Sequence, residues 1–316
     1  MSRGTVVLAA LALALTSWLH AQPALLHGDV IVAGYRETVD AEGFPAFVST
    51  IRIYGRDGVF QRELVTSSER QFSEPYVRDG IVFVGTRFPD AIERIDAAGT
   101  FLAPFTNLVN DINDLSPGPN GGLIAASASE IYQFAADGTL LRYRDITTTP
   151  LAGGGLDLAA DRCTVIHSSN GALARWDACL DTPAAFFTSS LAGASGAVRI
   201  LPDGTFLAAL LSRVVHRASD GTVIREYPIP NSTALALDVD GTSFWTNAGN
   251  YLLHVEIATG AVLSETYTDA FIMGVGVVDE PRAAHVPAHA IPAASPGVLA
   301  VFAVILTLAA VGRLRV

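Results

Sequence analysis

The side chains best suited to chemistry carry oxygen. Asn110, Asp111, Asn113 and Asp114 crowd into one five-residue run around Ile112, and Glu74 and Asp157 stand at comparable points of the neighbouring segments. Carboxylate and amide oxygens are hard donors, so Glu74, Asp111, Asn113, Asp114 and Asp157 are the best candidates for chemistry. A plainer reading makes the run a solvated turn whose Asn and Asp side chains satisfy loop backbone. Arg199 and Ala236 favour the plainer reading, because they fall near the position of Asp157 in later segments and interrupt a ring of acids. Catalytic residues are not identified by these patterns.

Cysteine chemistry is confined to Cys163 and Cys179, which mirror each other about Gly171. With Asn170-Gly171 as a hairpin turn they face one another across two antiparallel strands, where opposite Cα atoms lie about 4.5–5.5 Å apart. A disulfide is expected after export, with a metal pair or a reactive thiol as the alternatives. Histidine offers less. His216 and His254 share a strand slot with Arg52, Arg94, Gln133 and Arg175, which makes that slot a repeated polar face rather than a ligand position. His167 belongs to the cysteine-bearing segment, and His285 and His289 fall near the C-terminus.

What must position these groups is a repeat. The run Ile131 to Tyr143 reads as an apolar strand, an Asp137-Gly138 turn and a second apolar strand. Turn glycines recur at Gly58, Gly99, Gly138, Gly221 and Gly260, separated by 41, 39, 83 and 39 residues. The gap of 83 is two periods, with the missing turn near Asp181. Strand-rich repeats of about 40 residues are typical of propeller blades. A second series, Gly80, Gly122, Gly204 and Gly241 with Arg162 in the equivalent slot, marks the turn between the first two strands of each unit.

The expected strands, in the order second, third and fourth of each blade, begin with 29–35, 50–54 and 59–65. Next come 81–86, 91–96 and 100–105, then 123–127, 131–134 and 139–143. The later blades use 163–168, 172–177 and 184–188; 205–210, 214–217 and 222–227; and 242–246, 251–256 and 261–267. Blade one has no first strand before Gly28, and 271–278 is a strand to spare. Inserting it would close a ring of six blades and remove the open edges. The glycine-closed turns then share one plain face. The longer connections 36–49, 66–74, 106–114, 146–155, 189–197 and 228–233 open on the other, where propeller ligands are usually met.

Blades written as Asp79-Gly80, an apolar strand, Ile92-Glu93-Arg94-Ile95-Asp96 and Gly99-Thr100-Phe101-Leu102 resemble NHL-type propellers and the gluconolactonase or virginiamycin B lyase superfamily. Residues 160–164 and 175–179 look like segments of exported bacterial propellers of this class. The resemblance covers roughly residues 28 to 280 and implies an all-β, six-bladed β-propeller. Lactonase relatives hold a divalent cation on carboxylates and amides at the channel mouth. The resemblance therefore implies calcium as the candidate cofactor of the acidic set; otherwise none is expected.

The ends of the chain suggest export. Residues 1–21 have Arg3, an apolar core and a cleavage site at Leu19-His20-Ala21, which reads as a signal peptide, with an uncleaved anchor as the alternative. The propeller is expected over 22–280, an Ala- and Pro-rich linker over 281–296, an apolar transmembrane helix over 297–312 and a basic cytoplasmic tail over 313–316. This tail resembles PEP-CTERM and IPTL-CTERM sorting signals, with Ile291-Pro292-Ala293-Ala294-Ser295 where the latter class has Ile-Pro-Thr-Leu-Ser. A cell-envelope protein held in the membrane is implied.

All 20 basic residues are arginine, which excludes a lysine Schiff base or a P-loop lysine. A formal charge of −11 with scattered arginines provides no basic stripe for nucleic acid. The expectation is thus a tethered, non-catalytic binding module for a protein, glycan or small-molecule ligand on the irregular face. A cation-dependent lactonase-like or lyase-like enzyme and a structural component of a surface assembly are the alternatives.

Overall fold

The computed structural model describes residues 24–39, 42–146, 154–169, 172–179, 182–188 and 195–282. Its strands run β1 (Val30–Val39), β2 (Pro45–Tyr54), β3 (Phe60–Ser67), β4 (Gln71–Arg78), β5 (Ile81–Arg87) and β6 (Ala91–Ile95). They continue as β7 (Ile112–Pro117), β8 (Leu123–Ser127), β9 (Glu130–Phe134), β10 (Leu140–Asp145), β11 (Leu156–Leu158), β12 (Thr164–Ser169), β13 (Ala172–Asp177) and β14 (Thr182–Thr188). The last nine are β15 (Ser195–Ile200), β16 (Phe206–Leu210), β17 (Arg213–Arg217), β18 (Val223–Tyr227), β19 (Leu235–Leu237), β20 (Ser243–Ala248), β21 (Tyr251–Glu256), β22 (Val262–Tyr267) and β23 (Phe271–Val277).

These strands form six antiparallel sheets, the blades of an all-β propeller. Blade one is ordered β23-β1-β2-β3, so the last strand of the domain pairs with the first, from Val30 opposite Val277 to Tyr35 opposite Phe271. The spare strand closes the ring as expected. Both faces of each middle strand are buried, which explains their near-continuous apolar runs. Ile31 and Ala33 enter the core shared with blade two, while Val30 and Val32 enter the core shared with blade six. Six hydrophobic clusters occupy the six junctions between blades.

The turns keep to the glycine pattern. Gly58, Gly99, Gly138, Gly221 and Gly260 all have positive φ, and Arg162 takes φ 59° in the slot its sister blades give to glycine. Many acids are spent here. Asp137 and Asp220 accept backbone N–H bonds from Thr139 and Thr222, which hold their carboxyls below the usual range. Asp181 lies outside the described residues.

Three expectations change. Blade two has only three strands, because 100–105 forms isolated bridges instead of a ladder. Pro104 lies in that segment, and a proline cannot donate to a neighbouring strand. The connection 36–49 is largely strand: β1 and β2 stay paired to Val39 opposite Pro45, and the hairpin runs on past the last pairing of β1 with β23, at Tyr35. The cysteines do form a disulfide, with Cα atoms 5.1 Å apart, but they are offset by one position. Thr164 faces Asp177, so Cys163 lies beside Ala178, whose N–H bonds to its carbonyl at 2.7 Å, and Cys179 reaches back from the next residue. Closing a loop of this size contributes about 3 kcal/mol.

Among the described residues no helix is long and apolar enough to cross a membrane. The expected signal peptide, residues 1–21, and the expected span and tail, 297–316, lie outside the described residues, as does most of the linker.

Candidate functional site

The innermost strands β23, β4, β7, β11, β15 and β19 enter from the irregular face, and four of them slip register at that end. Shifts fall between Phe72 and Pro75 in β4, Ile112 and Asp114 in β7, and Ser195 and Val198 in β15. In β23 the slip passes over Met273, which has no partner on β1. Such bulges re-aim side chains beside a site. Here they turn Ser73, Asn113 and Met273 toward the axis, around a cavity of about 310 Å³. Every blade contributes to its wall: Met273, Glu74, Asn113, Gly155, Gly196 and Thr233. Two of those glycines are required by close approach. A Cβ on Gly196 would lie 2.1 Å from the Thr233 carbonyl oxygen, and one on Gly155 would lie 2.4 Å from the Ala197 Cα.

Toward the interior the axis is buried and charged, and Glu74 and Asp114 line the cavity as well. Glu74, Asp114 and Asp157 are at most 2% exposed, and the charge that Glu74 and Asp114 face is the fully buried guanidinium of Arg199. Its Nη2 is 2.5 Å from Glu74 Oε1, its Nη1 is 3.4 Å from Asp114 Oδ2, and its Nε is 3.2 Å from Glu280 Oε1. Arg282 completes the cluster: Nε donates to Glu280 Oε2 at 2.7 Å and Nη1 to the Leu115 carbonyl at 2.9 Å.

The carboxylates also join blade to blade. Asp114 Oδ2 accepts from the Leu156 N–H at 2.9 Å, Asp157 Oδ2 from Ile200 at 2.8 Å, and Glu280 Oε1 from Leu237 at 2.6 Å. Each acid thus satisfies a backbone donor on another blade's innermost strand. Four carboxylates share two guanidiniums, so the cluster carries excess negative charge. Burial pushes Glu74 well above the usual carboxylate range, against the pull of Arg199, and raises Asp114 as well. Burial works to lower Arg199, but Asp114, Glu280, Glu74 and Asp157 outweigh it and keep the guanidinium protonated.

The candidate ligand set is therefore divided. Glu74, Asp114 and Asp157 reach the axis, with their oxygens engaged by arginine and backbone donors. Asn113 stays at the mouth, 3.5 Å from Arg87 Nη2, and Asp111 is half-exposed and paired with Arg87 Nε. Among the described residues, the only group of three His, Cys, Asp or Glu whose ligand atoms lie within 4.8 Å of one another is Cys163, Asp177 and Cys179. Its two sulfurs are bonded to each other. Sequence reasoning missed Glu280 and Arg282, which flank the boundary expected between propeller and linker. The signal was present: a Glu-Pro-Arg triplet in a stretch otherwise low in charge.

Two histidines are satisfied by neighbours: His216 Nε2 lies 2.8 Å from Thr205 Oγ1, and His254 Nε2 lies 2.7 Å from Ser243 Oγ with its ring stacked on Trp245. His167 is 1% exposed, and neither ring nitrogen has a hydrogen-bond partner. Burial lowers its pKa to about 4, so it is neutral near pH 7.

No protein-family model and no curated protein matches this chain. Solved structures do. A chain of the nidogen/laminin complex superposes with a TM-score of 0.63 at 10% identity, covering 80% of this chain and 100% of its own. A protein of unknown function from Bacteroides caccae gives 0.59 at 10% identity, with the same coverage. A catalytically inactive virginiamycin B lyase from Staphylococcus aureus, with quinupristin, gives 0.53 at 15% identity over 78% of this chain and 87% of its own. At these identities the likeness is one of fold. The disulfide points to an oxidising, extracytoplasmic compartment.

Proposed function

We propose that this chain is an extracytoplasmic binding module that takes its ligand on the irregular face of the propeller, without a catalytic cation. The observation that carries this reading is the mouth itself. Bulges in four innermost strands shape a cavity to which all six blades contribute, while the acids beneath it are occupied by Arg199, Arg282 and backbone N–H groups. A calcium ion would need about six to eight oxygens and would have to displace that guanidinium. Within the same proposal, residues 1–21 direct export and 297–312 tether the domain to the membrane.

Thermal unfolding with and without millimolar calcium is the test. Saturating ligand at 100 times its dissociation constant adds about 2.7 kcal/mol, so a bound cation would raise Tm visibly. The expected result is no change. A saturable rise, abolished by Asp114→Asn, would replace this reading with the cation-dependent lactonase-like or lyase-like one. Fractionation of cells carrying the full chain or a chain ending at residue 290 tests the tether, which predicts membrane association for the former alone.

A further inference from the structure

A second pocket, of about 330 Å³, opens on the same face over the junction of blades one and two. Its apolar wall is aromatic. Tyr35 and Phe47 meet edge to face with centroids 5.6 Å apart, and Phe88 completes the wall. Phe47 and Phe88 are 57% and 76% exposed, more than a side chain needed only for packing would be. The same pocket is lined by Glu69 and Arg70 of the connection from β3 to β4 and by Gln71, the first residue of β4. Arg70 is held from behind, with Nε 3.4 Å from Glu93 and its guanidinium 4.6 Å over the Phe101 ring. Among the described residues, nothing takes up the Glu69 carboxylate or the Gln71 side-chain amide.

From this wall we infer a subsite for a neutral saccharide; the inference rests on the reading that the irregular face binds the ligand. The chemistry selects the class. A purely apolar occupant would bury Glu69 and Gln71 without partners, at about 1–3 kcal/mol each. An anion would meet Glu69 with Arg70 already paired to Glu93, and a cation would meet the Arg70 guanidinium beside Glu69, so a free ion of either sign is the poorer fit. A sugar ring has an apolar C–H face for the aromatic wall and a rim of hydroxyls that both donate and accept. The polar side of the pocket matches that rim, with an acceptor in Glu69, a donor in Arg70 and both in Gln71. The volume sits at the small end of the roughly 300–1,000 Å³ of ligand pockets, which suits a short saccharide. Tyr35 also packs on Phe271, at 5.5 Å between centroids, and Phe271 lines the axial cavity. A longer chain would therefore run from the rim toward the mouth.

Isothermal titration of the purified propeller with maltohexaose, cellohexaose, laminarihexaose and, in a separate arm, phosphocholine tests the subsite. Saturable binding of at least one hexaose is expected, weakened about tenfold or more by Phe47→Ala and by Gln71→Ala, and changed less than twofold by Ile224→Ala on the outer strand of blade five. Thermal unfolding confirms that each variant is folded. Loss with Asn113→Ala at the axial mouth but not with Phe47→Ala would overturn the rim subsite and leave the binding face standing. Phosphocholine binding with no hexaose binding would overturn the saccharide class. Silence in every arm would overturn the inference too, whereas the calcium measurement decides the binding-module reading independently.

Discussion

The floor of the axis and the rim over blades one and two both hold charged side chains, and they use them in opposite ways. On the axis Glu74, Asp114, Asp157, Arg199, Glu280 and Arg282 are buried and partnered, and several partners belong to other blades. At the rim Glu69, Arg70 and Gln71 line an open cavity beside exposed rings, and among the described residues only Arg70 of the three has side-chain partners. Under the proposed reading, charge density alone is a poor guide to the ligand. Acids that converge on a propeller axis can serve as joints between blades, and groups left unsatisfied at the periphery are the better guide to a ligand.

The sharpest way to break this contrast is Arg199→Met. Removing one partner of a buried ion cluster leaves uncompensated charge and typically costs about 3–5 kcal/mol. Urea unfolding should show a loss of that size, partly recovered in Arg199→Met/Glu74→Gln, since neighbouring sites couple. A loss below about 1 kcal/mol would mean that the axis is not the joint described here.

A middle-sized effect is expected from pH. The folded pKa of Glu74 is raised above its unfolded value of about 4.3. Its contribution to stability is therefore complete below that value and declines as pH rises through the folded pKa. Glu74→Gln removes this titration, so the stability of the wild type relative to the variant should fall steadily from acid to alkaline solution. His167 titrates in both proteins and cancels. A pH-independent difference would contradict the raised pKa of Glu74.

The smallest effect belongs to the rim. Phe47→Ala should change unfolding free energy by less than about 1 kcal/mol, because the ring is 57% exposed and its one edge-to-face contact is with Tyr35. A larger loss would make Phe47 a packing residue and weaken the case for a subsite.

The ring was legible because its signals are local and repeated. Gly58, Gly99, Gly138, Gly221 and Gly260 sit where hairpins need positive φ, and the unpaired strand at 271–278 had one place to go. Local composition misled where a tertiary partner decides the outcome. Residues 36–49 read as a connection, yet β1 and β2 pair with each other across most of it, from Arg36 opposite Val48 to Val39 opposite Pro45. Arg199 read as a gap in a ring of acids, and it is the countercharge those acids share. The alternation of Asp and Asn in 110–114 could not reveal that Asp114 turns inward while Asp111 stays beside Arg87, since a single-residue bulge at Asn113 separates them.

Glu280 and Arg282 also fix where the chain departs from the propeller. Arg282 bonds to Leu115 of blade three while Glu280 bonds to Leu237 of blade six, so the last described residues, 280–282, lie at the hub. A pull applied beyond Arg282 arrives close to the rotational centre and is met first by these two side chains. Behind them β23 is loaded along its length against β1, where the rungs of the ladder share the force together instead of parting one after another.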